Sequence, residues 1–84
     1  MKLVYFSWIR ERLGTAEEEV SPPENVKTIG ELLEWLKSRG DAFRTVLEHD
    51  RVIRVAVDRT HVDDRSATIA GASEIALFPP MTGG

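Results

Sequence analysis

From residue 2 to residue 8 the chain is almost continuously apolar, and Lys2-Leu3-Val4-Tyr5-Phe6-Ser7-Trp8 predicts a first strand, rich in β-branched and aromatic residues. Both of its faces are apolar, with Leu3 and Tyr5 on one and Val4, Phe6 and Trp8 on the other. A strand covered on one side alternates more cleanly, so the second face is a candidate for contact with a partner. Residues 9–13 fit a short helical turn closing at Gly14. Residues 17–20 fit a second strand that completes a hairpin and stops at Pro22-Pro23, its three glutamates forming a solvated edge that discourages sheet-to-sheet association.

The middle of the chain switches to the helical period. Ile29, Leu32, Leu33 and Leu36 fall at i, i+3, i+4 and i+7, one apolar stripe, with Trp35 on its flank. Thr28 and Glu31 have the Thr-x-x-Glu spacing of a capping box, Lys37 and Arg39 lie in the last turn, and Gly40 marks a stop. A shorter helix is expected over residues 41–47, turning Phe43, Val46 and Leu47 inward. Residues 52–57 return to alternation, Ile53, Val55 and Val57 against Arg54 and Ala56, which predicts a half-buried strand. Residues 59–72 are irregular, with Val62 and Ile69 as brief strands or anchors. Residues 75–78 form a last strand with Ile75 and Leu77 facing the core. The order is ββαβ(β)β. It predicts an α+β domain in which a mixed sheet of four to five strands packs on one main helix.

Eighty-four residues suffice for one core. The predicted division is a domain over residues 1–78 and an extended tail over 79–84. The net charge of -3 comes without a clustered basic face, so no nucleic-acid partner is expected. No apolar run approaches a membrane span and no signal-peptide pattern opens the chain, so the expectation is a cytoplasmic protein without membrane contact. The chain has no cysteine, which excludes disulfides and thiolate metal sites, and no metal site is expected. It also means that sulfur carried by this chain would have to be built onto a carboxyl group. His49 and His61 are isolated and read as surface or loop residues. Asp63-Asp64-Arg65 reads as a solvated turn.

The end of the chain carries the candidate chemistry. After Phe78, Pro79 and Pro80 block further pairing and favour an extended backbone. Met81, Thr82, Gly83 and Gly84 follow with no charged side chain. The two glycines, lacking Cβ, can pass where any other residue is too wide. The arrangement suits a terminal carboxylate handed to another protein's active site. The alternative is a loose terminus with no role.

Taken with the first strand, with Arg10-Glu11 shortly after it and with the helix capped at Thr28, the run Ile75-Ala76-Leu77-Phe78-Pro79-Pro80-Met81-Thr82-Gly83-Gly84 resembles the small subunits of molybdopterin synthase. These are sulfur carriers of the ubiquitin-like β-grasp fold. A bare Gly-Gly end is shared by ubiquitin and several other carriers, whereas Phe-Pro-Pro-x-x-Gly-Gly is far more specific. Ala72-Ser73 departs from the Gly-Asp more usual in that family. The resemblance implies that a ubiquitin-activating-type adenylyltransferase uses ATP to adenylate Gly84, this chain itself binding no cofactor. Sulfur then displaces AMP, and the Gly84 thiocarboxylate enters the large subunit, with Gly83 threading behind it. There it donates sulfur to cyclic pyranopterin monophosphate, in an assembly of two large and two small subunits.

Partner contacts are expected at Phe78, Pro79, Pro80, Met81 and Thr82 along the tail. Val4, Phe6 and Ala76, with Ala56, are expected to contribute on the sheet face beside it. The competing reading of that face is that residues 59–72 fold over it. Other carriers, for the thiazole of thiamine or for tRNA thiolation, share the Gly-Gly end but not the Phe-Pro-Pro stem. A ubiquitin-like binding module with no terminal chemistry is the alternative of a different class.

Overall fold

The computed structural model describes residues 1–49 and 52–80. Its elements run β1 (Lys2–Tyr5), α1 (Ser7–Leu13), β2 (Glu17–Glu19), α2 (Ile29–Lys37), α3 (Asp41–Leu47), β3 (Arg54–Val57), β4 (Thr60–Val62) and β5 (Glu74–Phe78). The strands form one sheet in the order β2-β1-β5-β3-β4. β5 runs parallel to β1 and antiparallel to β3, while β1–β2 and β3–β4 are antiparallel pairs. This is the expected mixed α+β sheet, with the last strand at its centre.

Alternation decides which side of the sheet is covered. Leu3 and Tyr5 of β1, Val55 of β3 and Ile75 and Leu77 of β5 are buried together with Ile29, Leu32, Leu33 and Leu36 of α2. The helix stripe therefore lies where its period places it. At its start Thr28 Oγ1 accepts from the Glu31 N–H at 3.1 Å, and the Glu31 carboxylate accepts from the Thr28 N–H at 3.1 Å. This reciprocal cap is the one the spacing predicts. α3 turns Val46 and Leu47 into the core, with Phe43 packed on its margin.

Several boundaries differ from expectation. β1 ends at Tyr5, not at Trp8. The Phe6 N–H donates to Leu77 O at 3.1 Å, Ser7 takes a left-handed φ of 56°, and Trp8 enters α1. There Ile9 is fully buried, and Trp8 packs against the core margin and edge-on to His49. Burial of one face of α1 overrides the strand propensity of the aromatic run. Gly14 does close the helix, in the left-handed conformation. Gly40 does not stop α2: Ser38 caps it in a right-handed conformation, and Gly40 is the extended residue that opens α3. The strand expected over residues 52–57 is shorter, with Val52 exposed and Ile53 buried ahead of Arg54–Val57.

The β2 glutamates are also more than a solvated edge. Glu18 accepts from the Tyr5 hydroxyl at 2.7 Å and from Arg39 Nη2 at 3.0 Å, while the Arg39 guanidinium lies over the Trp35 and Phe43 rings. Burial raises Tyr5 far above the ordinary phenol range, reinforced by Glu18, so its hydroxyl stays a donor. Burial also opposes ionisation of Glu18, but the hydrogen bonds from Arg39 and Tyr5 and the Arg39 charge together outweigh it. They hold the carboxyl below its ordinary 4.5. The folded state therefore binds this proton less readily than the unfolded chain does. The stability contributed by Glu18 is complete above its unfolded value and is lost as pH falls through the folded one. Thermal melts between pH 7 and pH 3 are expected to show a shallower acid-side fall in Glu18→Gln than in the natural chain. Parallel curves would show that the clasp contributes nothing.

Candidate functional site

β5 delivers the chain end from the middle of the sheet. Leu77 pairs with Tyr5 on one side and Val55 on the other, and Phe78, the last strand residue, lies opposite Arg54. Pro79 and Pro80 continue from it, half-buried and outside any ladder. The proline pair thus ends the strand where the sequence places the stop. Met81, Thr82, Gly83 and Gly84 lie outside the described residues.

The face of the sheet turned away from the helices is built by the alternate residues. The ladder registers align Val4, Ala76, Ala56 and His61 in one row across β1, β5, β3 and β4. Its middle is a floor of methyl groups, with Ala76 itself buried. At the tail end of this floor stand Phe78, Phe6 and, opposite Phe78 on β3, Arg54. Phe6 is 46% exposed, and its N–H bond to Leu77 O sets it beside Phe78. At the opposite end the face is charged: Lys2 Nζ bridges Glu17 and Glu74 at 3.5 Å each. An apolar strip with a polar rim, next to the chain end, has the anatomy of a protein contact surface.

Among the described residues, the irregular segment does not cover this strip. Residues 64–69 cross to the helix side instead, where Arg65 O and Ala67 O accept from the Gly30 and Ile29 N–H groups at 2.8 and 3.0 Å. Ile69 anchors there, buried, with its N–H on Lys27 O. The Arg65 side chain donates to Ile53 O at 2.8 Å, and Ser66 donates twice to Asp64, drawing that carboxyl below its ordinary range. Asp63 and Asp64 are exposed, as a solvated turn requires, whereas Arg65 begins a strap over α2 that runs to Ile69. Gly30 is the close approach that permits it, since a Cβ there would meet Arg65 O at 3.3 Å.

With Thr28 occupying the Glu31 and Leu32 amides, the first-turn donors of α2 are all engaged, so that helix end offers no anion cradle. Among the described residues no group of three or more His, Cys, Asp or Glu is arranged to hold a metal. No described helix is long and apolar enough to cross a membrane.

Of the residues singled out from sequence, the structure gathers Val4, Phe6, Ala76, Phe78, Pro79 and Pro80 around one end of one face. Trp8, read as part of that face, lies elsewhere in α1. One neighbour was missed. His61 belongs to the face through a two-residue hairpin, Asp58-Arg59, whose φ values of 47° and 72° are both left-handed. The signal is hidden because such turns are ordinarily written Asn-Gly or Asp-Gly. Here Asp58 offsets the strain by accepting from the Ser73 and Glu74 N–H groups at 2.9 Å each.

Comparison with known proteins agrees with this geometry. The ThiS family model matches residues 3–84. The chain is 31% identical over its full length to the molybdopterin synthase sulfur carrier subunit of Escherichia coli (strain K12), covering 99% of that protein. Among solved structures it is similar to a putative molybdopterin converting factor, subunit 1, from Pyrococcus furiosus (TM-score 0.74, 26% identity, 94% of each chain). It is likewise similar to SAMP1 from Haloferax volcanii, a small archaeal modifier protein (TM-score 0.73, 28% identity, 100% and 98%). The fold is the ubiquitin-like β-grasp that the resemblance implied.

Proposed function

This chain belongs to the ThiS family of sulfur carriers, and from that premise we propose that it is the sulfur-donating small subunit of a cytoplasmic molybdopterin synthase. The observation that carries the reading is the 31% identity over the full length to a subunit of that name, together with the run Phe78-Pro79-Pro80-Met81-Thr82-Gly83-Gly84. The apolar strip beside Phe78 supports it, because a tail that enters another protein needs a docking surface at its root.

In the proposed cycle the Gly84 carboxylate attacks the α-phosphorus of ATP on an adenylyltransferase partner, releasing pyrophosphate and forming an acyl-adenylate. The terminal sulfur of a persulfide then displaces AMP. A second thiol takes the donor's remaining sulfur as a disulfide, leaving a thiocarboxylate on Gly84. Adenylation is required because a carboxylate has no good leaving group, whereas the thiocarboxylate is a soft nucleophile. Residues 79–84, the proposed tail, carry it into the large subunit, where sulfur passes to cyclic pyranopterin monophosphate. Two such transfers complete the dithiolene, in the proposed assembly of two small and two large subunits. Acid–base groups and phosphate recognition belong to the large subunit.

The test is intact-mass spectrometry after co-expression with the activating enzyme, followed by incubation with the large subunit and precursor. The expected species has one oxygen of the chain replaced by sulfur and reverts on turnover. Its complete absence would overturn the proposal. The likeness to SAMP1 favours a second reading, in which the same activated carboxyl passes to an amine of a target protein. Amide-linked conjugates of higher mass in the same experiment would select it.

A further inference from the structure

We propose that His61 is a positioning residue for delivery of the tail: packed edge-to-face, it fixes the Phe78 ring so that the acceptor protein meets a ready-made aromatic ledge at the tail root. The inference rests on the reading of the face turned away from the helices as the docking side.

The His61 and Phe78 rings meet edge-to-face, with centroids 5.8 Å apart and planes at 66°. They come from β4 and β5, which β3 separates, so their backbones are roughly 10 Å apart at about 4.8 Å per strand spacing. The rings reach one another because the β3 residue opposite His61 is Ala56, whose methyl leaves the space above it open. On the other side His61 Nε2 lies 3.0 Å from Oδ1 of the exposed Asp63.

The burial pattern explains what this arrangement can do. Within β5 the residues before Phe78, Ala76 and Leu77, are buried and immobilised by packing, whereas Phe78 is only half-buried. Beyond it, two prolines fix φ. The Phe78 side chain is therefore held by its neighbours on this face, where Arg54 lies directly opposite it and the His61 ring packs against it edge-on. An anchor ordered before docking spares the complex the entropy of ordering it.

The test uses the full chain with His61→Ala and His61→Phe. The phenylalanine keeps an edge-to-face partner without the Asp63 contact. Side-chain couplings of Phe78, read by NMR, are expected to report one rotamer in the natural chain and in His61→Phe, and averaging in His61→Ala. With the activating enzyme and large subunit present, His61→Ala is expected to raise the half-saturating concentration of carrier about threefold to tenfold. The turnover number and the thermal midpoint are expected to stay unchanged, and His61→Phe to restore most of the loss. A single Phe78 rotamer in His61→Ala would overturn the proposal, as would His61→Phe behaving no better than His61→Ala. If the natural chain itself transfers no sulfur, the functional reading fails separately, while the NMR arm still decides whether His61 holds Phe78.

Discussion

Deletion of Gly84 is expected to abolish sulfur transfer in the reconstituted system while leaving the thermal midpoint unchanged. The shortened chain still ends in a carboxylate, on Gly83, but that carboxylate falls about 3.3–3.6 Å short of the position that Gly84 would reach. Misplacement of a reacting atom by about 1 Å costs on the order of a hundredfold in rate, so a shift of this size removes measurable turnover. Stability is unaffected because the buried core runs from Leu3 to Leu77. Gly83→Val, which puts a β-branched side chain where the proposed channel must be narrow, is expected to block transfer as well. Sulfur transfer at the natural rate by the chain lacking Gly84 would place the donor atom elsewhere.

Leu77→Ala is expected to be the most damaging single truncation near the site, costing about 2–5 kcal/mol. Leu77 is 1% exposed and lies at the centre of the sheet, paired with Tyr5 across the parallel ladder and Val55 across the antiparallel one. A domain of this size has about 5–15 kcal/mol in total, so much of its margin would go. The thermal midpoint is expected to drop by at least about 8 °C. Urea titration monitored by Trp8 and Trp35 fluorescence supplies the free energy; a loss below about 1 kcal/mol would mean that α2 collapses into the vacated space. The substitution is linked to function by position: the Phe6 N–H bonds to Leu77 O, so loosening this residue loosens both aromatic groups at the tail root.

Much of the architecture was legible from local pattern. The capping box at Thr28, the α2 stripe, the alternation through Ile53 and Val55 and the stop after Phe78 are all set by residues within a few positions of one another. Capping, helical period, pleat and proline geometry are interactions of near neighbours, so they can be written in a short stretch of chain. The site was legible to the same extent. Val4, Phe6, Ala76 and Phe78 share one face because pleating obliges them to, and the family resemblance pointed to the tail beyond them.

Other features depend on partners distant along the chain. β1 stops at Tyr5 because Leu77 O accepts from the Phe6 N–H and Ser7 then turns the chain into a helix. Glu18 is clasped because Tyr5 and Arg39 converge on it from other elements. Residues 64–69 pass over α2 and not over the opposite face because the first-turn amides of that helix take their carbonyls. His61 reaches Phe78 only through a hairpin with unusual turn residues and across a methyl on β3. By itself, then, the sequence determined most of the elements and their buried faces. Tertiary structure alone decided where the strands stop, which side of the sheet residues 64–69 cross and what stands beside Phe78, since those follow from long-range hydrogen bonds and packing that no local period encodes.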